Sequence, residues 1–302
     1  MFGFSKKVKL VTHNGSFHSD DVFACATLQI WLDQQGKKYS VHRVGHTDPL
    51  VTSGDYVFDI GGIYNPETNR FDHHQSGGAG KRANGIEYAS FGLVWKHIGL
   101  NFGSKRLVGR VDHFAQAIDA TDNGINLFNL NSIGETPFLI EDAISSFNTG
   151  WDEGLETYDQ FITAVNLAKQ ILKRLIRKAT SDTTAMDIID KAYQSAENKN
   201  LVVIDQPLGR FIIVETLGGH NDTVYAVHPD SKGNWSVVGM RADANTYATR
   251  KPLPAAWAGL TGSEMASVSG VDDAIFCHRS LFTCRAKSKE GALQLVKIAL
   301  KS

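Results

Sequence analysis

Cysteine is nearly absent from this chain of 302 residues: Cys25, Cys277 and Cys284 are the full complement. The number is odd, and the six residues between Cys277 and Cys284 exceed the short spacing of a zinc knuckle. Neither a disulfide scaffold nor a structural zinc site is expected. No apolar run is long enough to span a bilayer, and Met1–His13 shows no apolar core ahead of a small-residue cleavage site. The expectation is a soluble, cytoplasmic protein with no membrane partner. Charge of one sign is not in excess either, with 31 Lys and Arg against 32 Asp and Glu. That balance excludes bulk attraction to nucleic acid or anionic lipid and disfavours tight binding of long duplex DNA, while leaving room for a local basic groove. Also missing are Gly-x-Ser-x-Gly, a Walker-type phosphate loop and His-Glu-x-x-His, so no serine nucleophile, phosphate-loop nucleotidase or zinc peptidase is signalled.

What is present is ordinary globular composition, 42% hydrophobic and 10% aromatic, in a chain longer than one compact core usually holds, so two domains are expected. Residues 8–12 form a short apolar run suited to a buried strand, ended by the polar turn His13-Asn14-Gly15-Ser16. Residues 22–32 are apolar on almost every face, as in a helix buried against a sheet. Residues 56–60 read as the next strand, halted by Gly61-Gly62, and residues 86–98 as another helix. This alternation predicts an α/β domain built on a parallel sheet with helices on both faces, where ligands sit at the carboxyl ends of strands.

From Leu155 the apolar positions Tyr158, Phe161, Ile162, Val165, Ile171, Leu172, Leu175 and Ile176 recur at helical spacing. Residues 201–204, 211–215, 224–227 and 235–240 are strand-like runs divided by turn signals such as Pro207-Leu208-Gly209. The expected division is a metal-binding catalytic domain over 1–150, a helical connector over 151–197 and a smaller α/β substrate domain over 198–302. No internal repeat or low-complexity tract interrupts it.

Four features carry chemistry. His13, His18, Asp20 and Asp21 fall within nine residues on the loop between the first strand and its helix, a donor set that suits Mn²⁺ or Mg²⁺. The competing role for Asp20 or Asp21 is to cap that helix. Asp59 ends an apolar strand before a glycine pair, where a carboxylate can bridge two cations and backbone can approach closely. In Asp72-His73-His74, adjacent histidines of an extended segment point to opposite sides, one toward a metal and the other toward a phosphate. The Gly77-Gly78-Ala79-Gly80-Lys81-Arg82 stretch that follows reads as a phosphate lid or a surface loop. Asp119 and Asp122, three apart, share one face if helical, and either can complete a metal site. Turn formation by Asp122-Asn123-Gly124 is the alternative.

In this order the four features resemble the motifs of the DHH phosphoesterase superfamily, which includes RecJ-type exonucleases, oligoribonucleases and manganese-dependent inorganic pyrophosphatases. Within it the sequence is most similar to the MYG family of "metal-dependent protein hydrolases". The phrases that carry the similarity are Thr12-His13-Asn14-Gly15-Ser16-Phe17-His18-Ser19-Asp20-Asp21, Asp59-Ile60-Gly61-Gly62, Arg70-Phe71-Asp72-His73-His74-Gln75 and Asp119-Ala120-Thr121-Asp122-Asn123-Gly124-Ile125. Tyr88-Ala89-Ser90-Phe91-Gly92-Leu93-Val94-Trp95 also matches, so the resemblance covers nearly the whole chain. It implies a DHH-type domain holding one or two divalent ions, Mn²⁺ before Mg²⁺, and a substrate-gripping second domain. The implied ligands are His13 or His18, Asp20, Asp59, His73 and one of Asp119 and Asp122, with His74 meeting the substrate phosphate. One departure stands out: His18 occupies what resembles the place of an aspartate, which makes the site less negative.

In the second domain Gly218-Gly219-His220 resembles the superfamily's small glycine motif, and Arg241, Ser269, Gly270 and His278 stand at matching places as substrate-binding candidates. Arginine suits paired hydrogen bonds to phosphate. The resulting expectation is a metal-dependent hydrolase, an exonuclease on short single-stranded RNA or another oligonucleotide. Asp20, Asp59 and His74 are its catalytic candidates, and a metal-activated water is the nucleophile. The rival readings are a metal-binding regulatory module with weakened catalysis and a peptide hydrolase. A homo-oligomer is compatible with the sequence.

Overall fold

A computed structural model of the chain describes residues 6–130, 132–154, 157–243 and 248–302, and the backbone falls into two compact units, Met1–Thr180 and Ser181–Ser302. In the first unit β1 (Val8–His13) leads to α1 (Ser19–Gln34), β2 (Tyr39–Val44), a single turn α2 (Leu50–Ser53), β3 (Tyr56–Phe58), β4 (Tyr64–Asn65) and β5 (Arg70–Phe71). Three helices follow, α3 (Ser90–Ile98), α4 (Lys105–Asp122) and α5 (Ile140–Ser145), and then the long α6 (Tyr158–Ser195), which carries the chain into the second unit.

The five strands lie in the order β2-β1-β3-β5-β4, parallel except for the antiparallel edge pair β4 and β5. Successive strand residues point to opposite faces, and the apolar pairs Leu10/Val11 and Val57/Phe58 divide accordingly. Leu10 and Phe58 join Phe23, Leu28, Phe91, Trp95 and Phe161 of α1, α3 and α6 in the main core. Val11 and Val57 pack on the other face with Val44, Ile60 and the α2 residues Leu50 and Val51. Helices therefore lie on both faces of a mainly parallel sheet. Phe23, Phe91 and Trp95 are fully buried, each contributing about 1.5–3 kcal/mol.

The second unit contains β6 (Leu201–Val203), α7 (Arg210–Leu217), β7 (Tyr225–Pro229), β8 (Trp235–Gly239), α8 (Gly262–Ser269), β9 (Ala274–Cys277), β10 (Thr283–Ala286) and α9 (Lys289–Lys301). Its sheet runs β6-β7-β8-β10-β9, with only the β6–β7 pair parallel. Among the described residues no helix is long and apolar enough to cross a membrane.

Several expected elements differ. The helix expected over 86–98 begins at Ser90, because Asn84-Gly85 turns the chain back and residues 81–88 form a narrow hairpin: Arg82 N–H donates to Ile86 O at 2.8 Å and Tyr88 N–H to Gly80 O at 3.0 Å. The strand expected over 211–215 is the helix α7, whose Ile213, Val214 and Leu217 are buried on one face while Phe211 is exposed. Its β-branched residues favour a strand, and packing of that face on the sheet overrides them. Leu155 lies outside the described residues; the helix starts at Tyr158 and runs on past the last periodic position, Ile176, to Ser195.

Candidate metal centre

The adjacent parallel strands β1, β3 and β5 end side by side, and each delivers polar residues as it ends: His13 from β1, Asp59 after β3, and Asp72-His73-His74 after β5. The strand order and the shared strand direction bring together residues that are far apart in sequence. α1 and α4 supply the rest, Asp20 and Asp21 from the first turn of α1 and Asp122 from the last turn of α4.

Asp59 lies at the centre. His13 Nε2 is 3.2 Å from its Oδ2, while His73 Nε2 and His74 Nδ1 are 3.4 and 3.6 Å from its Oδ1. Its φ of 56° is left-handed, an unusual conformation for a side-chain-bearing residue. That conformation ends β3 at Phe58, one cause of the strand being shorter than expected. His73 Nε2 also faces Asp122 Oδ2 at 3.2 Å and Asp20 Oδ2 at 3.8 Å. His13 Nε2 faces Asp21 Oδ2 at 3.4 Å.

Three sets, the first two sharing Asp59, each place one ligand atom per residue within 4.8 Å of the others: Asp59, His73 and His74; His13, Asp21 and Asp59; and His18, Asp20 and Asp122. His73 Nε2 and Asp21 Oδ2 are buried without a hydrogen-bond partner among the described residues. Such atoms are costly unless something coordinates them. Imidazole nitrogen and carboxylate oxygen form a donor set compatible with Mn²⁺ and neighbouring divalent ions. The residues fit a divalent cation.

The electrostatics agree. Burial pushes the Asp20 carboxyl well up, reinforced by the negative charges of Asp59, Asp122 and Asp21. Burial and Asp59 push Asp21 up to about 8. Burial also raises Asp122. Asp59 is held below the usual carboxylate range: burial acts against this, but the His13 and His73 imidazoles beside it outweigh it. Several carboxylates packed into a dry corner are short of positive charge.

Asp72 acts beside the cluster. Its Oδ1 accepts His73 N–H at 2.7 Å, His74 N–H at 3.1 Å and His74 Nδ1 at 2.8 Å, and its Oδ2 accepts Gly62 N–H. The hydrogen bond to Asp72 raises His74 to about 9, and 63% of the His74 side chain is exposed. The two histidines do not point to opposite sides as an extended strand would require. Asp72 folds the triplet so that both rings approach Asp59, with centroids 4.3 Å apart.

Of the two late aspartates, the structure brings Asp122 into the cluster and turns Asp119 away. Asp119 is fully buried, accepts Gly92 N–H at 3.0 Å and pairs with Arg82, which also meets Asp112 at 3.0 Å. Arg82 is thereby occupied inside the unit, and Lys81 pairs with Glu87 at 2.6 Å. The basic end of the glycine-rich segment is thus paired within a hairpin, which favours the surface-loop reading over the phosphate lid. Asp21 joins the cluster although only Asp20 was expected as a ligand. One of its oxygens caps α1 by accepting His18 N–H at 3.0 Å, and the other faces His13. The Asp-Asp pair was the available signal, and the capping role concealed it.

In the second unit the expected substrate residues are dispersed. Gly218-Gly219-His220 follows a helix, not a strand. Arg250 binds the Gly218 and His220 carbonyls, and the His220 ring stacks on Tyr193 at 3.7 Å. Arg241 follows β8 and lines a cavity of about 450 Å³ with Gly218, Glu215 and Arg250. Ser269 and Gly270 close α8, Gly270 with φ 70°. His278 lines a separate cavity of about 490 Å³ with Arg210, His228, Phe282 and Arg285.

A MYG1 exonuclease family model, described as "Uncharacterised protein family (UPF0160)", matches residues 9–300. A MYG1 protein of Chlamydia trachomatis is 30% identical over 295 residues, covering 96% of both chains. The MYG1 exonuclease of Mus musculus is 27% identical over 328 residues, covering 97% of this chain and 84% of the relative. Among solved structures, RecJ from Thermus thermophilus in complex with Mn²⁺ is 11% identical, with a TM-score of 0.28 over 97% of this chain and 52% of that one. The match over almost the whole length shows that the chain belongs to the MYG1 family.

Proposed function

We propose that the protein is a divalent-metal-dependent phosphoesterase acting as an exonuclease on short single-stranded RNA or a similar oligonucleotide. The observation that carries this is the convergence of His13, Asp20, Asp21, Asp59, His73 and Asp122 at the strand ends, with His73 Nε2 and Asp21 Oδ2 buried and unpartnered. Relatives named MYG1 exonuclease support the same reading.

His13, Asp21 and Asp59 would hold one ion, and His18, Asp20 and Asp122, with His73, would hold a second. Mn²⁺ is preferred because histidines contribute. A bound cation supplies positive charge and makes a nearby water more acidic. The chain's own residues do the rest. Asp59 lies between the sets and fixes their spacing. Asp72 accepts a hydrogen bond from His74 Nδ1 and favours the cationic form of this exposed imidazole, which suits it to offset charge on non-bridging phosphate oxygens. The second unit is assigned substrate binding, through Arg241 and His278. A cytoplasmic location belongs to the same proposal.

The test is hydrolysis of short 5′-labelled RNA and DNA by wild type, Asp59→Ala and His73→Ala, with Mn²⁺, Mg²⁺ or chelator. Metal-dependent shortening lost in both variants is expected. The His18 position favours one rival, a metal-binding regulatory module. Tight Mn²⁺ binding without turnover of any phosphodiester would establish that rival and overturn the proposal.

A further inference from the structure

We infer that Ser90 is a positioning residue of the metal centre, presenting Asp20 and Asp59 together to the space beside His73; the inference rests on the reading of this centre as a divalent-metal site. Ser90 is fully buried at the start of α3. Its backbone N–H donates to Asp20 Oδ2 at 3.1 Å, and its hydroxyl donates to Asp59 Oδ1 at 3.2 Å. Those two oxygens, together with Asp122 Oδ2, are the ones that face the unpartnered His73 Nε2. One serine therefore touches two of the three carboxylates grouped round that atom, and it does so from an element that supplies no ligand itself.

Helix capping does not account for the hydroxyl. The cap position of α3 is Ala89, which makes no side-chain cap bond, and Ser90 is already inside the helix. The first-turn N–H groups of a helix lack intrahelical partners and favour anionic acceptors. Here Ser90 N–H goes to Asp20 and Gly92 N–H to Asp119. A backbone N–H at position 90 needs no particular side chain, whereas the bond to Asp59 needs the hydroxyl. Without that bond, Asp59 Oδ1 is left facing only the His73 and His74 rings.

The platform is closely packed. A Cβ on Gly92 would lie 1.9 Å from Asp119 Oδ2 and 2.8 Å from Arg82 Nη2, so α3 seats against the Arg82–Asp119 pair with no room for a side chain. Asp119 is one turn before Asp122 on α4. The same helix end therefore holds Asp20 and Asp59 through Ser90 and the approach of Asp122 through Asp119.

The test compares full-length wild type with Ser90→Ala, using circular dichroism and thermal melting of the metal-free proteins, calorimetric Mn²⁺ titration and the electron paramagnetic resonance spectrum of bound Mn²⁺. The expected result is a folded Ser90→Ala protein whose Mn²⁺ affinity falls by about tenfold or more, with an altered Mn²⁺ spectrum. Wild-type affinity in Ser90→Ala would overturn the assignment. Loss of the metal-free fold would also overturn it, because the hydroxyl would then hold the fold and not the ligands. Absence of any divalent binding by wild type would instead overturn the metal reading itself, and this inference with it.

Discussion

Asp59 adopts a left-handed backbone that costs a non-glycine residue about 1–3 kcal/mol, and the Ser90 hydroxyl and the adjacent His13 and His73 rings hold its carboxylate in place. Asp119 and Asp122, one turn apart, divide the labour. Asp119→Ala leaves the buried Arg82 guanidinium with Asp112 alone, and removing one partner of such a buried pair costs up to about 3–5 kcal/mol in denaturant unfolding. Asp122→Ala should leave folding nearly unchanged while weakening Mn²⁺ binding at least tenfold. Equal loss of Mn²⁺ affinity in both variants would put Asp119 back in the centre. His228 gives a pH prediction for the second unit. It is 5% exposed, its Nδ1 lies 3.0 Å from Pro229 O, and burial lowers its pKa below 6.5. The unfolded chain therefore takes up the proton first, so the stabilisation is present above pH 6.5 and is lost as pH falls through the depressed folded value. Melting of wild type should drop more between pH 7.5 and 5.5 than that of His228→Gln; equal drops would contradict this account.

At the scale of elements, apolar runs revealed β1 and α1, and helical spacing revealed α6. The same patterns misread short segments whose shape depends on a distant partner. The hairpin ahead of α3 exists because Arg82 reaches Asp112 and Asp119 on α4, and α7 is a helix because its apolar face meets a sheet. No local pattern records either contact. Position 92 is similarly silent in sequence, although the seating of α3 depends on it. Gly92→Ala should destabilise the protein by about 1–3 kcal/mol through overpacking and weaken Mn²⁺ binding as well. Unchanged melting and Mn²⁺ affinity would show that α3 can shift freely.

At the scale of the whole molecule, the candidate site was legible as a list of residues and not as a geometry. His13, Asp59 and the Asp72-His73-His74 triplet converge because β1, β3 and β5 are neighbours in the sheet, an order that no single segment encodes. That order is also why Ser90 escaped notice and Asp21 stood only as one of several possible donors on its loop: their roles appear only once α1 and α3 are docked. The dispersal of Gly218, Ser269 and His278 in the second unit has the same origin, since their matching places in sequence said nothing of where each would lie in the fold. A cation bound only by the folded protein adds stability by mass action, about 2.7 kcal/mol at an ion concentration near a hundred times Kd. Mn²⁺ should therefore raise the melting temperature and chelator should reverse the rise; an unchanged melt at saturating Mn²⁺ would contradict coupling of the site to the fold. The most direct measurement of the central claim is the number of Mn²⁺ ions bound per chain, by equilibrium dialysis, in wild type and Asp59→Ala. The account predicts one or two tightly bound ions in wild type and their loss in Asp59→Ala. Binding that is absent from wild type, or unchanged in the variant, would contradict it.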